Sequence, residues 1–342
     1  MKKSFVLFGL SILLAACGGK KEQAAADYVA DLDFKQPVNL IFDTDLGPDY
    51  DDAGAMAIMH ALADSGQVNI LAVTASNADE NVVPCIEAIN AYYGRPNIPV
   101  GAVKSEGAVS LTDNHKTKWP AMIAAKYQHP TAKTSDAPDA VGLMRKILAA
   151  APDSSVTICT TGFFTNTYNL LYSDSDQYSP LFGKELIAKK VKRLVCMAGQ
   201  MPKGHEFNVY SDARSARYVT NEWPTEIIFS GFEIGAKILT GKQLAAMNAT
   251  NNPVQDIYKS CLAEGEPNGH QSWDITALWV AVKGIRPYFD GERGTFRVTD
   301  LQGNNNWIID GSWTHYRLLP KMSAADLSTL FEKYMMQKPK GK

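Results

Sequence analysis

"LIFDTDLGPDYDDAGAMAI", residues 40–58, runs from an apolar stretch into five aspartates within ten positions and out again into an apolar helical pattern. Asp43, Asp45, Asp49, Asp51 and Asp52 repel one another when ionised and raise one another's pKa, so the segment needs a cation or shared protons. The run "VNLIF" ahead of it reads as a strand. "DDAGAMAIMHALADSG" behind it has apolar residues at helical spacing. A helix N-terminus accounts for Asp51 and Asp52, which complement the dipole of a first turn, and leaves the other three unexplained. An EF-hand loop does not fit, because counting from Asp43 puts Gly47 at position five and Gly54, not a glutamate, at position twelve. Carboxylates on either side of a turn containing Gly47 and Pro48 can converge on one hard divalent ion, and this is the favoured reading. A phosphatase-like Asp-x-Asp at the strand end, working with magnesium, stays open as the alternative.

The same strand-then-helix alternation continues downstream. Strands are expected at 68–75, 98–103, 155–160, 191–199 and 225–231, with helices at 82–94, 139–151, 163–173 and 212–223. This predicts an α/β fold, an open, mostly parallel, Rossmann-like sheet with helices on both faces. Ligands of such sheets bind at the carboxyl ends of the strands. Asp43 and Asp45, Asn77, Thr160-Thr161-Gly162 and the loop from Ala198 to Asn208 all follow strands and share that rim. Residues 104–137 form a long polar stretch without a period, expected to be functional or to carry short helices. The last third is less regular. Helices are expected at 254–265 and 273–284, then a hairpin of 295–300 with 306–319 around Gly303-Asn304, then an amphipathic helix over 324–335.

The 342-residue chain has a net charge of −2 and no basic run able to track a phosphate backbone, which excludes a nucleic-acid polymer as partner. Cys85, Cys159, Cys196 and Cys261 are far apart and form no C-x-x-C pair, so neither a zinc motif nor a disulfide is expected. Those in strand-like runs read as small buried hydrophobes. At the start, Lys2-Lys3 precede the apolar run "FVLFGLSILLAA" (5–16), too short to stay in a bilayer as a permanent helix. It ends in "LAAC", which resembles the lipobox of bacterial lipoproteins. That resemblance implies a signal peptide over 1–16, cleavage before Cys17 and a lipid on the Cys17 sulfur. A tether over 17–37 and one domain over 38–342 would follow, of a size that one core can serve. The implied location is the bacterial cell envelope, on its periplasmic or outer-membrane face, with the lipid as the only membrane contact.

"DTDLGPDYDDAGA" closely resembles the N-terminal signature of nucleoside hydrolases, in the variant with two extra residues before the Asp pair. Further segments carry the same resemblance in the same order: "TASN" (74–77), "TTGFFTN" (160–166), "HEFNVYSD" (205–212) and "WDITAL" (273–278). The resemblance implies the nucleoside hydrolase fold and calcium-dependent hydrolysis of the N-glycosidic bond of a ribonucleoside, a small-molecule substrate, to free base and ribose. It further implies that Asp45, Asp52, the Thr161 carbonyl and Asp274 hold Ca2+ and that Asp45 is also the general base. Asp51, Asn77, Glu206 and Asn208 would bind the ribose, and Asp43 would order the loop from behind. Self-association into a homo-oligomer is compatible with the chain and not readable from it.

The sequence departs from the family pattern in ways that matter. "AGQMPKGHEFN" offers no second Asn ahead of Asn208, so one ribose contact is missing or replaced. Asp49 lies in the two-residue insertion and reads as a solvated turn residue. Trp273 stands where base-nonspecific members have a histidine acid, and an aromatic there suits purines, which stack on it. Trp119 is a candidate lid over the base or an anchor for its loop, and His115 and His270 are candidate donors to the leaving base. His60 reads as structural, His205 as pointing away from Glu206, and Glu233 has no assigned role. The non-catalytic alternative is a ribosyl-binding lipoprotein, disfavoured because binding alone needs no base at Asp45.

Overall fold

The structure is a computed structural model that describes residue 32, residues 34–310 and residues 314–341. The expected signal peptide, Cys17 and most of the tether lie outside the described residues. Among the described residues twelve strands occur in chain order: β1 (Val38–Thr44), β2 (Val68–Ala75), β3 (Val100–Ala102), β4 (Val156–Thr160), β5 (Val191–Met197), β6 (Lys203–His205), β7 (Glu226–Ser230), β8 (Leu239–Thr240), β9 (His270–Gln271), β10 (Phe289–Val298), β11 (Asn304–Ile308) and β12 (His315–Pro320). Ten of them form one sheet in the order β3-β2-β1-β4-β5-β7-β12-β10-β11-β6, while β8 and β9 pair separately. From β3 to β12 every pairing is parallel; β10, β11 and β6 extend the sheet antiparallel.

β1 lies inside the sheet and carries helices on both faces, which is why it reads as an unbroken apolar run. Its side chains alternate across the sheet: Leu40 and Phe42 enter one core, and Ile41 enters the other. All three are fully buried. Each contributes about 1.5–3 kcal/mol from removal of apolar surface from water. The chain leaves β1 toward β2 and β3 on one side, then returns to β4 and β5 on the other. This reversal opens a crevice beyond the carboxyl ends of β1 and β4, the usual place for a ligand.

Two helices bring the distant acid to that crevice. Helix Asp51–Asp64 begins six residues after Asp45, and helix Trp273–Lys283 carries Asp274 in its first turn. They pack closely because Gly54 has no side chain: a Cβ there would meet the Tyr258 hydroxyl at 2.4 Å and Ile275 Cδ1 at 2.9 Å.

Several elements differ from expectation. Helix Gly183–Lys190 lies between β4 and β5, unannounced because "GKELIAKK" is mostly polar. β10 starts at Phe289, ahead of the expected 295, and β12 pairs parallel with β7 as well as antiparallel with β10. The stretch 104–137 does carry short helices, Trp119–Lys126 and Thr134–Asp136. The end of the expected tether is packed rather than free. Phe34 lies against the core and under the Arg193 guanidinium, 4.0 Å from its ring centre, and Gln36 donates to the Val282 carbonyl at 3.1 Å.

Candidate active site

Asp45, Asp52 and Asp274 are buried, and each offers a carboxylate oxygen within 4.8 Å of the others'. Asp45 reaches this position because the chain turns sharply after β1: Leu46 and Gly47 take φ of 41° and 120°, the second a conformation that suits glycine. Asp52 is held by the Thr44 hydroxyl, by the Thr161 hydroxyl at 3.2 Å and by the Gly47 N–H at 3.4 Å. The turn after β4 comes up against Asp45 only because residue 162 is glycine. A Cβ there would lie 2.5 Å from the Asp45 nitrogen and 2.4 Å from Ser76 Oγ. The Thr161 carbonyl faces this region and accepts from Asn208 Nδ2 at 2.9 Å.

Asp43 is not in the cluster. It is fully buried, and both its oxygens are taken, by Thr74 at 2.6 Å, Asn166 at 2.8 Å and Thr160 at 3.0 Å. Burial pushes it up to about 6 against those three donors. A carboxylate so enclosed stitches β1 to β2 and β4 and lies buried outside the cleft lining, where it is not placed to attack a phosphorus, which removes the phosphatase reading.

The cluster needs positive charge. Burial raises Asp45 well above the usual carboxylate range, with Asp52 adding to it, and burial with Asp51, Asp52 and Asp45 does the same to Asp274. Burial, opposed by His270, pushes Asp51 up to about 8. Among the described residues no lysine or arginine lines the cleft. All-oxygen, carboxylate-rich and without a cationic side chain, the trio suits a hard divalent ion.

Above the trio is an open cleft walled by Pro48, Asp49, Asp51, Met197, Phe207, Phe232 and Trp273. Glu206 and Asn208 lie on its floor. Glu206 caps a short helix, accepting from the backbone of Asn208, Gly199 and Val209, and burial pushes it up to about 7 against those bonds. Trp273 stacks on Phe232 with ring centres 5.3 Å apart, and its indole N–H donates to the Phe232 carbonyl at 2.9 Å. Phe207, Phe232 and Met197 escaped the sequence reading, since apolar residues after strands carry no signal separating cleft wall from core.

Other expected residues are placed elsewhere. Asn77 does not line the cleft; its amide bonds to both backbone groups of Leu111 at 2.9 Å and so ties down the 104–118 loop. Trp119 is fully buried in the core beneath that loop, an anchor and not a lid. His115 is held by Asp113 at 2.6 Å, outside the cleft wall. His270 is buried, stacked on Tyr50 at 3.9 Å between ring centres and held through Nδ1 by Glu266 at 2.9 Å. Asp49 is exposed, as expected of a turn residue, yet its carboxylate lies close to Asp51 and His270. His205 is outside, bonded to the Gln302 carbonyl, and Glu233 accepts from the Met201 N–H, away from the cleft. His60 is a buried core residue, and Cys85, Cys159, Cys196 and Cys261 are buried free thiols.

A sequence profile described as inosine-uridine preferring nucleoside hydrolase matches residues 40–311, and the chain belongs to that family of metal-dependent enzymes acting on glycosidic bonds. No curated protein matches it. Among solved structures it is similar to a purine-preferring ribonucleoside hydrolase from Gardnerella vaginalis, with TM-score 0.65, 18% identity and coverage of 87% of this chain and 98% of that one. It is also similar to an inosine-uridine preferring nucleoside hydrolase from Bacillus anthracis, with TM-score 0.63, 19% identity and coverage of 89% and 99%. A type III effector protein complexed with adenosine diphosphate ribose shares the fold too, at TM-score 0.62 and 13% identity, over 92% and 97% of the two chains.

Proposed function

We propose that this enzyme uses Ca2+ to hydrolyse the N-glycosidic bond of ribonucleosides and prefers purine bases. The observation that carries the reading is the buried trio Asp45, Asp52 and Asp274 at the floor of a cleft whose wall is the stacked pair Trp273 and Phe232. Asp45, Asp52 and Asp274, with the Thr161 carbonyl, would hold the ion. Calcium there would supply the positive charge that keeps these carboxylates ionised and makes a nearby water more acidic.

The chain's own groups supply the rest. Asp45 accepts the proton of the attacking water, a role for a carboxylate because calcium is a weaker Lewis acid than zinc. Glu206, Asn208 and Asp51 grip the ribose hydroxyls and hold the sugar as it flattens toward an oxocarbenium-like state. Trp273 offers a face for the leaving base to stack on, and only the part of that contact that grows in the transition state raises the rate. Its indole N–H is occupied by the Phe232 carbonyl, so Trp273 supplies surface and no proton. Asn77 acts at one remove, through the loop it fastens.

Anchorage at the bacterial envelope through a lipidated Cys17 belongs to the same proposal, supported by the order of Lys2-Lys3, apolar run and "LAAC". No described helix is long and apolar enough to cross a membrane. The test of function is incubation of the purified enzyme with inosine, adenosine, uridine and a phosphate monoester. Free base is expected from the purine nucleosides first and no phosphate from the ester. Uridine as the best substrate would overturn the purine preference, and intact nucleosides throughout would overturn the activity.

A further inference from the structure

The floor trio does not use every carboxylate that lines this cleft. With Asp43 satisfied by three neutral donors, Asp45, Asp49, Asp51, Asp52 and Asp274 still converge on it. Three of the five form the floor site; beside it Asp49 and Asp51 face His270, and in the resting enzyme Asp51 is not engaged by the ribose hydroxyls it is proposed to bind. We propose that Asp49, Asp51 and His270 form a second cation site, suited to a first-row divalent ion such as zinc and distinct from the calcium trio.

The histidine carries the argument. His270 is buried, and its Nε2 has no hydrogen-bond partner among the described residues. Its Nδ1 lies 2.9 Å from the Glu266 carboxylate. An ionised carboxylate only accepts, so Nδ1 carries the proton, and in the neutral imidazole that a metal ion selects Nε2 presents its lone pair. A carboxylate behind a histidine in this way is the usual support of a metal-binding imidazole, fixing its tautomer and orientation. Nε2 points toward Asp51 Oδ1 at 3.9 Å. That gap is too long for a hydrogen bond. It is within reach of an ion lying about 2.0–2.1 Å from both a nitrogen and an oxygen ligand. The third donor, an Asp49 oxygen, is within 4.8 Å of both.

The ring cannot swing away. Tyr50 stacks on one face of it, and the Tyr50 hydroxyl also donates to Glu266. Trp273 meets it edge-on with ring centres 5.9 Å apart. The floor trio is all oxygen and suits calcium, whereas one imidazole with two carboxylates and open positions suits zinc or its neighbours.

The test is calorimetric titration of Zn2+ into the enzyme already saturated with Ca2+, with Co2+ as a spectroscopic probe. One zinc is expected to bind with calcium retained, and Co2+ is expected to give a visible absorption that depends on His270. His270→Gln should abolish both signals, and Glu266→Gln should weaken zinc about 10–100-fold. Asp49→Asn, at an exposed position, gives the same reading should the buried variants fail to fold. Zinc binding that is blocked by calcium and lost in Asp274→Asn, or that is unchanged in the Asp49 and His270 variants, would overturn the proposal, as would no binding at all. These readouts are taken on the resting enzyme, so they stand apart from any result with nucleosides.

Discussion

Replacing Gly162 by alanine should cost the enzyme both activity and stability, and the structure sets the size of both effects. The added Cβ would sit 2.5 Å from the Asp45 nitrogen, 2.7 Å from Asp45 Cβ and 2.4 Å from Ser76 Oγ, where ordinary contact begins at 3.4 Å. Two of these atoms belong to the residue proposed as base, and the backbone nitrogen cannot rotate aside as a side chain can. The shortfall at that nitrogen is about 0.9 Å, so the turns after β1 and β4 must part by most of an ångström. Overpacking of this kind costs about 1–3 kcal/mol. A misplacement of about 1 Å at the chemistry costs on the order of 100-fold in rate. The assay is base release from inosine alongside thermal melting with and without calcium. A rate down by about 100-fold, a modest loss of melting temperature and a reduced calcium-induced rise are expected. A variant with near wild-type rate and an unchanged calcium response would refute the claim that this close approach positions Asp45.

Asp45→Asn removes the proton acceptor at nearly constant volume and should lower kcat by about 100-fold or more, with KM for inosine changing less; retained turnover would move the base to Asp51. Trp273→Ala removes the stacking surface, worth about 1–3 kcal/mol for a base on an aromatic ring, and should slow inosine cleavage about tenfold or more while sparing nitrophenyl riboside, whose leaving group needs no proton; equal losses on both would contradict stacking. His60 gives a pH effect away from the site: burial, with Arg95 adding to it, lowers it to about 3, and Nε2 bonds to Asn90 at 2.9 Å. The unfolded chain then takes up a proton below about 6.5 that the fold refuses, so stability is intact at neutral pH and lost on acidification. Relative to His60→Gln, the wild type should lose about 2 kcal/mol between pH 7 and pH 5 in denaturant titrations; parallel pH profiles would contradict this.

The parts of the site that were legible in the sequence share one property: local chemistry with no cheaper explanation. Five aspartates in ten residues after an apolar run require a cation or protons wherever they fold, and strand-end placement follows from the alternation. Asp274 was reached through the family resemblance alone, because nothing local says that a helix more than two hundred residues away will pack on Gly54. Asn77 follows its strand as expected, but its amide is claimed by Leu111, a partner in a stretch without periodicity. Trp119 was open between lid and anchor, and the core took it. The sheet beyond β7 was obscured for a similar reason. β12 is placed between β7 and β10 by long-range pairing, while a local reading finds only the turn at Gly303. Asp49 reads in sequence as a solvated turn residue and His270 as a candidate donor to the leaving base; that the two belong together shows only when Glu266 and Tyr50 fix the imidazole beside Asp49 and Asp51.

The most direct measurement is release of hypoxanthine from inosine by enzyme stripped of metal and then titrated with calcium. The account predicts no release from the stripped enzyme, recovery that saturates with calcium bound at the Asp45, Asp52 and Asp274 site, and loss of both binding and recovery in Asp274→Asn. Base release that proceeds unchanged in a metal-free sample, or calcium that binds the wild type and the Asp274 variant equally, would contradict it.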